Sequence, residues 1–376
     1  MLGDVVRLAD NLWFIQGEMP PDASRRPDWC NVVIYRVDGR VYLIDSSGGP
    51  IMRSEIERIL TDVGEIESLT LINTHGHLDH ICNNDLIQTV PAMSRRHLMC
   101  ADAIDFVESD FAAHMAEEFD YLATIYEPFD SYQTHRRLYR LAALLRDSLG
   151  RMVGRRQVLH WLFRFQFRKF NPIRDSWQTM RPLEELPMES LQFSEVEWTG
   201  WTLGQDDVRV LKADAHMPGD VIVYIPEHQM MCAGDVTFPL FPTFRESSRD
   251  RILDCLTKIL RMARDGHVDV LADGHGNRCY TGRLRVESLL EEVIGDHLAF
   301  EQILRDIFTA RDGLTPGEVY DAFTGFADRP GVVNRYLSLE FPHTPPSLQN
   351  VMVTTMLQLG FQPRGPKGRK RFYRPN

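Results

Sequence analysis

The sequence predicts a layered α/β protein, and three features of the chain support that prediction. Strand-like runs flank an Asp-Gly turn within residues 31–44. A stretch with helical spacing of apolar residues follows over 51–63, and the β-branched run at 69–72 indicates another strand. Further strand-like runs return between about 195 and 240. Because strands that alternate with helices build sheets covered by helices, this order favours stacked layers.

Length and composition limit the class of protein. The 376 residues suit one large domain with additions, or two domains. A hydrophobic fraction of 43% and a charged fraction of 25% are typical of a soluble globular protein. The net charge of -11 argues against nucleic acid as the main partner, so a small-molecule substrate is the first expectation.

The cysteines and the chain start bear on location. The six cysteines are scattered without a C-x-x-C pair, which favours free thiols over a disulfide framework. The first residues lack the basic and apolar regions of a signal peptide. No apolar run approaches the roughly 20 residues that span a bilayer. We therefore expect a cytoplasmic protein without a membrane span, and a homo-oligomer remains open.

The amino-terminal strands lead to a loop rich in histidine. Residues 31–37 and 41–44 flank Asp38-Gly39-Arg40, which is the pattern of a β-hairpin. Residues 69–72 form a short buried strand in this interpretation, and residues 74–80 follow it as a loop at its carboxyl end.

Residues from about 101 to 190 are predicted to form a helical insertion, because they are rich in helix formers and poor in strand signals. Aromatic and basic residues interleave between Trp161 and Phe170. Three interpretations of this stretch remain open: core and rim of the insertion, a lid over the substrate, or a contact with a membrane surface. The first two are favoured.

The carboxyl-terminal part is mostly helical from about residue 284 and ends in a hairpin around a Gly-Pro-Lys-Gly turn. Helices followed by a hairpin indicate a small winged-helix-like appendage. We therefore expect a catalytic domain over 1–283 and a helical, winged-helix-like domain over 284–376. The bases of the last hairpin favour a solvated surface, with nucleic-acid binding as the alternative.

Four metal-capable side chains fall within six residues, namely His75, His77, Asp79 and His80. Imidazole nitrogens and carboxylate oxygens suit zinc, iron or manganese. Apart from His216 and His275, the eight remaining histidines, His97 among them, lack such a context and are interpreted as surface or structural residues.

Three further candidates follow later strands. His216 comes after the run ending at Leu211, Asp235 follows Gly234, and His275 follows the run ending at Leu271. Because the carboxyl ends of strands share one edge in an α/β sheet, these loops are expected to converge. An aspartate is suited to bridge two metals, since each carboxylate oxygen can bind one ion.

These motifs together resemble the metallo-β-lactamase superfamily. Its H-x-H-x-D-H pattern is met by residues 75–80, and its later His-x-Pro-Gly by residues 216–219. Its Gly-Asp and Gly-His-Gly elements are met by residues 234–235 and 274–276, in the family's order. The resemblance covers roughly residues 5–100 and 195–285. It implies a four-layer αβ/βα sandwich carrying the helical insertion and the carboxyl-terminal region.

The resemblance also implies a dinuclear site with two divalent metal ions, zinc first and iron or manganese as alternatives. One metal would be held by His75, His77 and His216. The other would be held by Asp79, His80 and His275, with Asp235 bridging. This complete set resembles the glyoxalase II, lactonase and ribonuclease Z branches, whereas flavodiiron-like members usually carry an acidic residue where His77 stands.

The function implied is hydrolysis of a small organic ester, thioester, lactone or amide by a metal-bound hydroxide. Asp79 and Asp235 are the candidate catalytic residues, Asp79 as a group that orients the nucleophile or passes a proton. Asp45 resembles the buried aspartate beneath the family's site. Asn277 and Arg278 are candidates for support or substrate contacts, with a plain loop role as the alternative.

Three rival functions remain. The same ligands could hold iron in an oxygenase or another redox enzyme, and the basic tail could serve a phosphodiesterase or nuclease. A binding module with a vestigial site is the third, and the intact ligand set argues against it. The sequence names neither the substrate nor the metal, because fold and ligand types leave both open.

Overall fold

The structure is a computed structural model, and it describes residues 1–18, 29–108, 111–126, 150, 153–166, 179–237, 245–276, 278–326, 328–338 and 347–375. The chain divides into two compact units. The first comprises Met1–Glu108, Phe170–Phe238 and Asp250–Ile294, and the second comprises Ser109–Lys169, Pro239–Arg249 and Gly295–Asn376. The predicted domain limits at 283 and 284 stay a prediction.

The first unit contains two seven-stranded sheets. The strands of sheet one, in spatial and chain order, are β1 (Val5–Ala9), β2 (Leu12–Ile15), β3 (Val32–Val37), β4 (Arg40–Ile44), β5 (Ser68–Ile72), β6 (Ser94–Met99) and β7 (Met180–Pro182). Neighbours from β1 to β4 are antiparallel, and those from β4 to β7 are parallel.

Sheet two is mostly antiparallel. Its strands, also in chain order across the sheet, are β8 (Glu189–Phe193), β9 (Val196–Leu203), β10 (Val208–Lys212), β11 (Val221–Ile225), β12 (Met230–Cys232), β13 (Val270–Ala272) and β14 (Cys279–Thr281). Only β12 and β13 pair in parallel. Two antiparallel steps separate β10 from β12, so β10, β12 and β13 all run in one direction.

The predicted hairpin near residue 38 is confirmed. Val37 of β3 pairs with Arg40 of β4, which leaves a two-residue turn. Both turn residues are left-handed, with φ of 46° at Asp38 and 79° at Gly39. This is the conformation that lets a two-residue turn follow the twist of the strands, and glycine adopts it without a steric cost.

Buried side chains fill two layers of core. One cluster lies between the sheets and contains Phe14 and Tyr42 of sheet one and Trp201 and Val223 of sheet two. A second cluster joins sheet one to helices α1 (Gly49–Asp62) and α3 (Leu86–Thr89); the short helix α2 (Leu78–Ile81) lies between them in the chain. On sheet two, Trp198 Nε1 donates to Met262 Sδ at 3.2 Å. Met262 belongs to the helix at Arg249–Arg264, so helices flank both sheets and the four-layer α/β class is confirmed.

The remaining helices are, in chain order, α4 (Ala101–Glu108), α5 (Phe111–Ile125), α6 (Arg155–Gln166), α7 (Arg249–Arg264), α8 (Arg283–Ala310), α9 (Pro316–Thr324), α10 (Pro330–Ser338) and α11 (Ser347–Gln358). In the second unit α5 packs on α6, where the Phe119 and Phe163 rings lie 5.3 Å apart. The predicted terminal hairpin is present as β15 (Gln362–Arg364) and β16 (Arg371–Tyr373), and Leu314 pairs with Phe372 of β16.

Three local expectations need correction. The predicted loop over 74–80 contains the short helix α2. Strand β6 was not predicted, because its sequence Ser-Arg-Arg-His-Leu-Met is polar over its first half. The predicted helical insertion ends earlier than residue 190, since β7 and β8 lie within its last part. These strands are set by pairing with neighbours, which the local pattern does not reveal.

Burial of His97 on β6 leads to a prediction about stability. Its ring is 1% exposed and its Nε2 lies 2.7 Å from Asn73 Oδ1, and burial lowers its pKa to about 3. Below about pH 6.5, His97 becomes protonated in the unfolded chain but stays neutral in the folded chain. The free energy of unfolding therefore decreases as the pH is lowered. His97→Gln is expected to reduce that slope by about 1.4 kcal/mol per pH unit between about pH 6 and pH 4.

The measurement is the free energy of unfolding by denaturant at several pH values. His228→Gln is the control, because that half-buried histidine bonds to Asn11 at the surface, and it should keep the wild-type slope. Equal slopes for His97→Gln and wild type would contradict the prediction.

Candidate metal centre

The seven predicted ligands lie at the carboxyl ends of strands. The loop after β5 carries His75, His77, Asp79 and His80. His216, Asp235 and His275 follow β10, β12 and β13, which share a direction and therefore end at one edge of sheet two. The convergence predicted from strand ends is thus observed, and the side chains fall into two groups whose candidate ligand atoms lie within 4.8 Å of one another.

The first group consists of three imidazoles and one carboxylate. Nδ1 of His77 lies 3.1 Å from Nε2 of His75 and 3.1 Å from Nε2 of His216. Oδ2 of Asp235 lies 3.9 Å from the His75 nitrogen and 3.8 Å from the His216 nitrogen. Three nitrogens and one oxygen therefore converge on a common point.

The second group shares Asp235 with the first. Oδ1 of Asp235 lies 3.3 Å from Nε2 of His80 and 3.5 Å from Nε2 of His275. Oδ2 of Asp79 lies 3.7 Å and 3.2 Å from the same two nitrogens. The Asp235 carboxylate thus directs one oxygen to each group, which is the arrangement expected of a bridging ligand.

Glycine at position 274 makes room for this carboxylate. A Cβ atom at Gly274 would lie 2.2 Å from Oδ1 of Asp235 and 3.0 Å from the backbone of Gly234. Backbone cannot move aside as a flexible side chain can, so a larger residue would displace Asp235. The Gly-His-Gly element therefore serves the neighbouring ligand loop as well as His275.

Asp45 joins the loop after β4 to the loop after β5. Its Oδ1 accepts from the backbone N–H of Thr74 at 2.8 Å, and its Oδ2 accepts from the Thr74 hydroxyl at 2.8 Å. Oδ2 also lies 2.9 Å from Nδ1 of His80, which leaves Nε2 of that ring directed toward the second group. Asp45 adopts φ of 57°, an unfavourable conformation for a non-glycine residue that its three contacts hold in place.

Other ligands have similar support. Nδ1 of His75 lies 3.1 Å from the Thr74 hydroxyl, and Nδ1 of His275 lies 3.2 Å from the carbonyl oxygen of Glu18. Such partners fix the ring orientation and the tautomer of a metal-binding histidine.

Asp220 is a functional residue that sequence reasoning missed. Its carboxylate accepts from the backbone N–H groups of Ala215 and His216 at 2.7 and 2.8 Å. These bonds close the loop that presents His216. The only sequence signal was an acidic residue four positions after a ligand histidine, which is too common to single out.

The remaining predicted support residues have different outcomes. Arg278 forms an ion pair with the buried carboxylate of Asp273, and that carboxylate accepts from the Gly274 N–H at 2.7 Å. Arg278 therefore supports the His275 loop. Asn277 lies outside the described residues.

Burial and neighbouring charge set the protonation of the site. Burial lowers the pKa of His75 well below its ordinary value and that of His216 to about 3, so both rings are neutral and able to bind a cation. Burial alone would raise the pKa of Asp235, but His275 and His80 outweigh it and hold it well below its usual range. Burial would also raise the pKa of Asp79, but the same two histidines outweigh it and lower that pKa. Both carboxylates are therefore ionised.

Cys30 lies beside Asp45 and His80 as a third cluster of candidate ligands. Burial raises the pKa of its thiol, and this keeps the thiol protonated at neutral pH. A thiol binds metal as the thiolate, so Cys30 is a neutral neighbour of the site. All six cysteines of the chain are free.

The donor set fits divalent metal ions. Within the described part of the chain, Nε2 of His80 and Oδ1 of Asp235 are buried and have no hydrogen-bond partner. A buried polar atom without a partner is costly, and a cation between these atoms would remove that cost. Nitrogen and carboxylate donors suit zinc, iron and manganese alike.

Comparisons with known proteins agree with this geometry. The family model of the metallo-beta-lactamase superfamily matches residues 25–97. No match was found among curated protein sequences.

Solved structures share the fold along nearly the whole chain. A beta-lactamase domain protein from Burkholderia ambifaria is 15% identical, with a TM-score of 0.56, and the match covers 100% of this chain and 96% of that one. A metallo-beta-lactamase family protein from Thermus thermophilus is 16% identical, with a TM-score of 0.52 and coverage of 98% and 100%. The sec-alkylsulfatase Pisa1 from Pseudomonas sp. is 14% identical, with a TM-score of 0.53, and the match covers 96% of this chain and 51% of Pisa1.

The matched segment contains the hairpin, Asp45 and the whole His75–His80 motif, and the two sheets reproduce the fold beyond it. Residues 25–97 thus match the metallo-β-lactamase superfamily, and the chain shares the fold of the solved proteins named above.

Proposed function

We propose that the protein is a dinuclear metal-dependent hydrolase that acts on a small organic ester, thioester, lactone or amide. The observation that carries the proposal is the position of the Asp235 carboxylate between two groups of candidate ligands. Its Oδ2 faces His75 and His216, and its Oδ1 faces His80 and His275. A single-metal site would need only one of these groups.

In this proposal His75, His77 and His216 hold one ion and Asp79, His80 and His275 hold the other, with Asp235 between them. When bound, two divalent ions would activate water and polarise the scissile carbonyl. Zinc is the first expectation, and the ligand types leave iron and manganese open.

Asp79 is the proposed proton-transfer residue. Its side chain is 20% exposed, whereas those of His80 and His275 are almost fully buried, so Asp79 is the carboxylate of the second group that solvent reaches. It is ionised, because the two histidines hold its pKa below its ordinary value. An ionised carboxylate at an accessible position can orient a water molecule and accept its proton.

A small substrate is proposed for two reasons. The net charge of -11 disfavours nucleic acid. In addition, helices α4 to α6 lie in the chain between the loop of His75–His80 and that of His216, within a long segment of the kind that can restrict access to a site. Because one structural relative is named a sec-alkylsulfatase, a secondary alkyl sulfate belongs in the substrate panel beside the carbonyl esters.

Metal content tests the ligand assignment. Protein purified without chelator is expected to contain about two divalent ions per chain by elemental analysis. His216→Ala should retain about one, since it removes a donor from the first group only. His228→Ala is the matched control and should bind as wild type does. Wild-type protein without metal, and without uptake of zinc, iron or manganese, would contradict the proposal.

Asp45→Asn tests whether the contacts of Asp45 with Thr74 and His80 support metal binding. The amide cannot accept from Thr74 through both of its ends, and it loses the charge that faces His80. We expect metal affinity at the second group to fall about 10- to 100-fold, measured by chelator competition, while the first ion is retained. Asp38→Asn in the exposed hairpin turn is the control. Unchanged release of both ions would show that Asp45 serves only the fold.

Turnover tests the reaction. Hydrolysis of a panel of esters, thioesters, lactones, amides and an alkyl sulfate is expected to stop on chelation and return when metal is restored. Asp79→Asn should lower kcat by about 10²- to 10⁴-fold. Turnover that survives complete removal of metal would refute the proposal. Bound iron with oxygen-dependent turnover would replace hydrolysis by redox chemistry.

A further inference from the structure

Helix α6 in the second unit has two apolar stripes. The inner stripe, Leu159 and Phe163, packs against Ala116 and Phe119 of α5 and accounts for the pairing of these helices. A helix at the surface of a protein normally shows polar residues on its opposite side. In α6 that side is also apolar.

The outer stripe is an aromatic ridge made of Trp161, Leu162 and Phe165. These side chains are 65%, 39% and 66% exposed. The Trp161 and Phe165 rings lie one helical turn apart, with centroids separated by 6.3 Å and planes inclined by 22°. Isolated exposed apolar residues are ordinary, but a contiguous ridge with stacked rings indicates a surface that contacts something apolar.

The stretch of sequence that contains the ridge is basic. Residues 148–174 contain seven Lys or Arg residues and no Asp or Glu, in a chain whose net charge is -11. On α6 itself, Arg164 is exposed three residues after Trp161, and it makes no ion pair within the described ranges. Arg156, one turn before His160, pairs with Glu117 at 2.8 Å. The charge beside the ridge therefore favours an anionic partner.

We infer that the aromatic ridge and Arg164 dock the protein on an anionic lipid bilayer. Helices that lie in the membrane interface combine Trp, Phe and Leu with Arg and Lys, so that rings enter the acyl boundary while guanidinium groups meet phosphates. No described helix is long and apolar enough to cross a membrane, which leaves contact at the surface. This inference goes beyond the proposed hydrolase activity and does not depend on it.

A nucleic acid is the weaker alternative. Stacking with bases would use single, separated aromatic rings along a basic groove. Here the rings stack on each other and present a continuous apolar edge with a leucine between them.

Co-sedimentation of the full-length protein with lipid vesicles tests the inference. Binding is expected to vesicles of phosphatidylcholine with about one third phosphatidylglycerol, and to weaken with salt and on pure phosphatidylcholine. Trp161→Ser with Phe165→Ser should reduce binding at least about tenfold. Met93→Ser with Leu284→Ser is the control, because those residues are 72% and 75% exposed elsewhere, and it should bind as wild type does.

The charge contribution is measured by Arg164→Gln, for which we expect about a fivefold loss of binding. Arg305→Gln, at an exposed position of α8, is its control. We expect wild-type protein to show a blue shift of tryptophan emission with vesicles, and Trp161→Phe to retain binding but lose that shift. That variant keeps an aromatic ring and preserves the test if the serine variants misfold.

Three outcomes would overturn the inference. The first is no binding to anionic vesicles, and the second is equal binding by the wild type and by folded ridge variants. The third is tighter, ridge-dependent binding to single-stranded nucleic acid or to an acidic peptide than to vesicles, which would assign the surface to that partner.

Discussion

The carboxylate of Asp45 is the contact on which the metal centre depends. A buried carboxylate is costly unless donors surround it, and here the N–H and hydroxyl of Thr74 and the ring of His80 supply them. The same bonds fix where the loop after β5 leaves the sheet, and thereby where its four candidate ligands lie. They also help to hold the left-handed backbone of Asp45, whose own N–H donates to the carbonyl oxygen of Ile72 at 2.9 Å.

The same device recurs at two of the three later loops that carry candidate ligands. Asp220 accepts backbone N–H groups beside His216, and Asp273 accepts the N–H of Gly274 beside His275. Asn31 ties that last loop to sheet one, since its Nδ2 donates to the carbonyl oxygen of Asp273 at 2.7 Å. The strands bring the loops to one edge of the sheet. Buried carboxylates that accept hydrogen bonds from the loop N–H groups then fix the position of each candidate ligand.

The sequence reveals the ligands more readily than this support. His75 to His80 form a compact motif, and strand ends bring His216, Asp235 and His275 to it by topology alone. The hairpin at Asp38-Gly39 follows from local turn chemistry. Asp220 and Asp273 could not be singled out, because their importance lies in backbone groups that meet them only after folding. Strand β6 was missed for a related reason, since partners on both sides hold its polar first half in the sheet.

The site also has a thermodynamic consequence for the whole first unit. Imidazoles and ionised carboxylates are packed together where burial opposes charge, and Nε2 of His80 and Oδ1 of Asp235 have no hydrogen-bond partner within the described residues. Burying these groups without a cation lowers the free energy of unfolding. The apolar clusters on both faces of sheet one can offset that loss. A ligand that binds only the folded chain raises its stability, so a cation held by these candidate ligands would link metal affinity to folding stability. Asp45, Asp220 and Asp273 order the loops before a cation binds. Less of the binding free energy is then needed to order those loops, so these aspartates would increase the metal affinity.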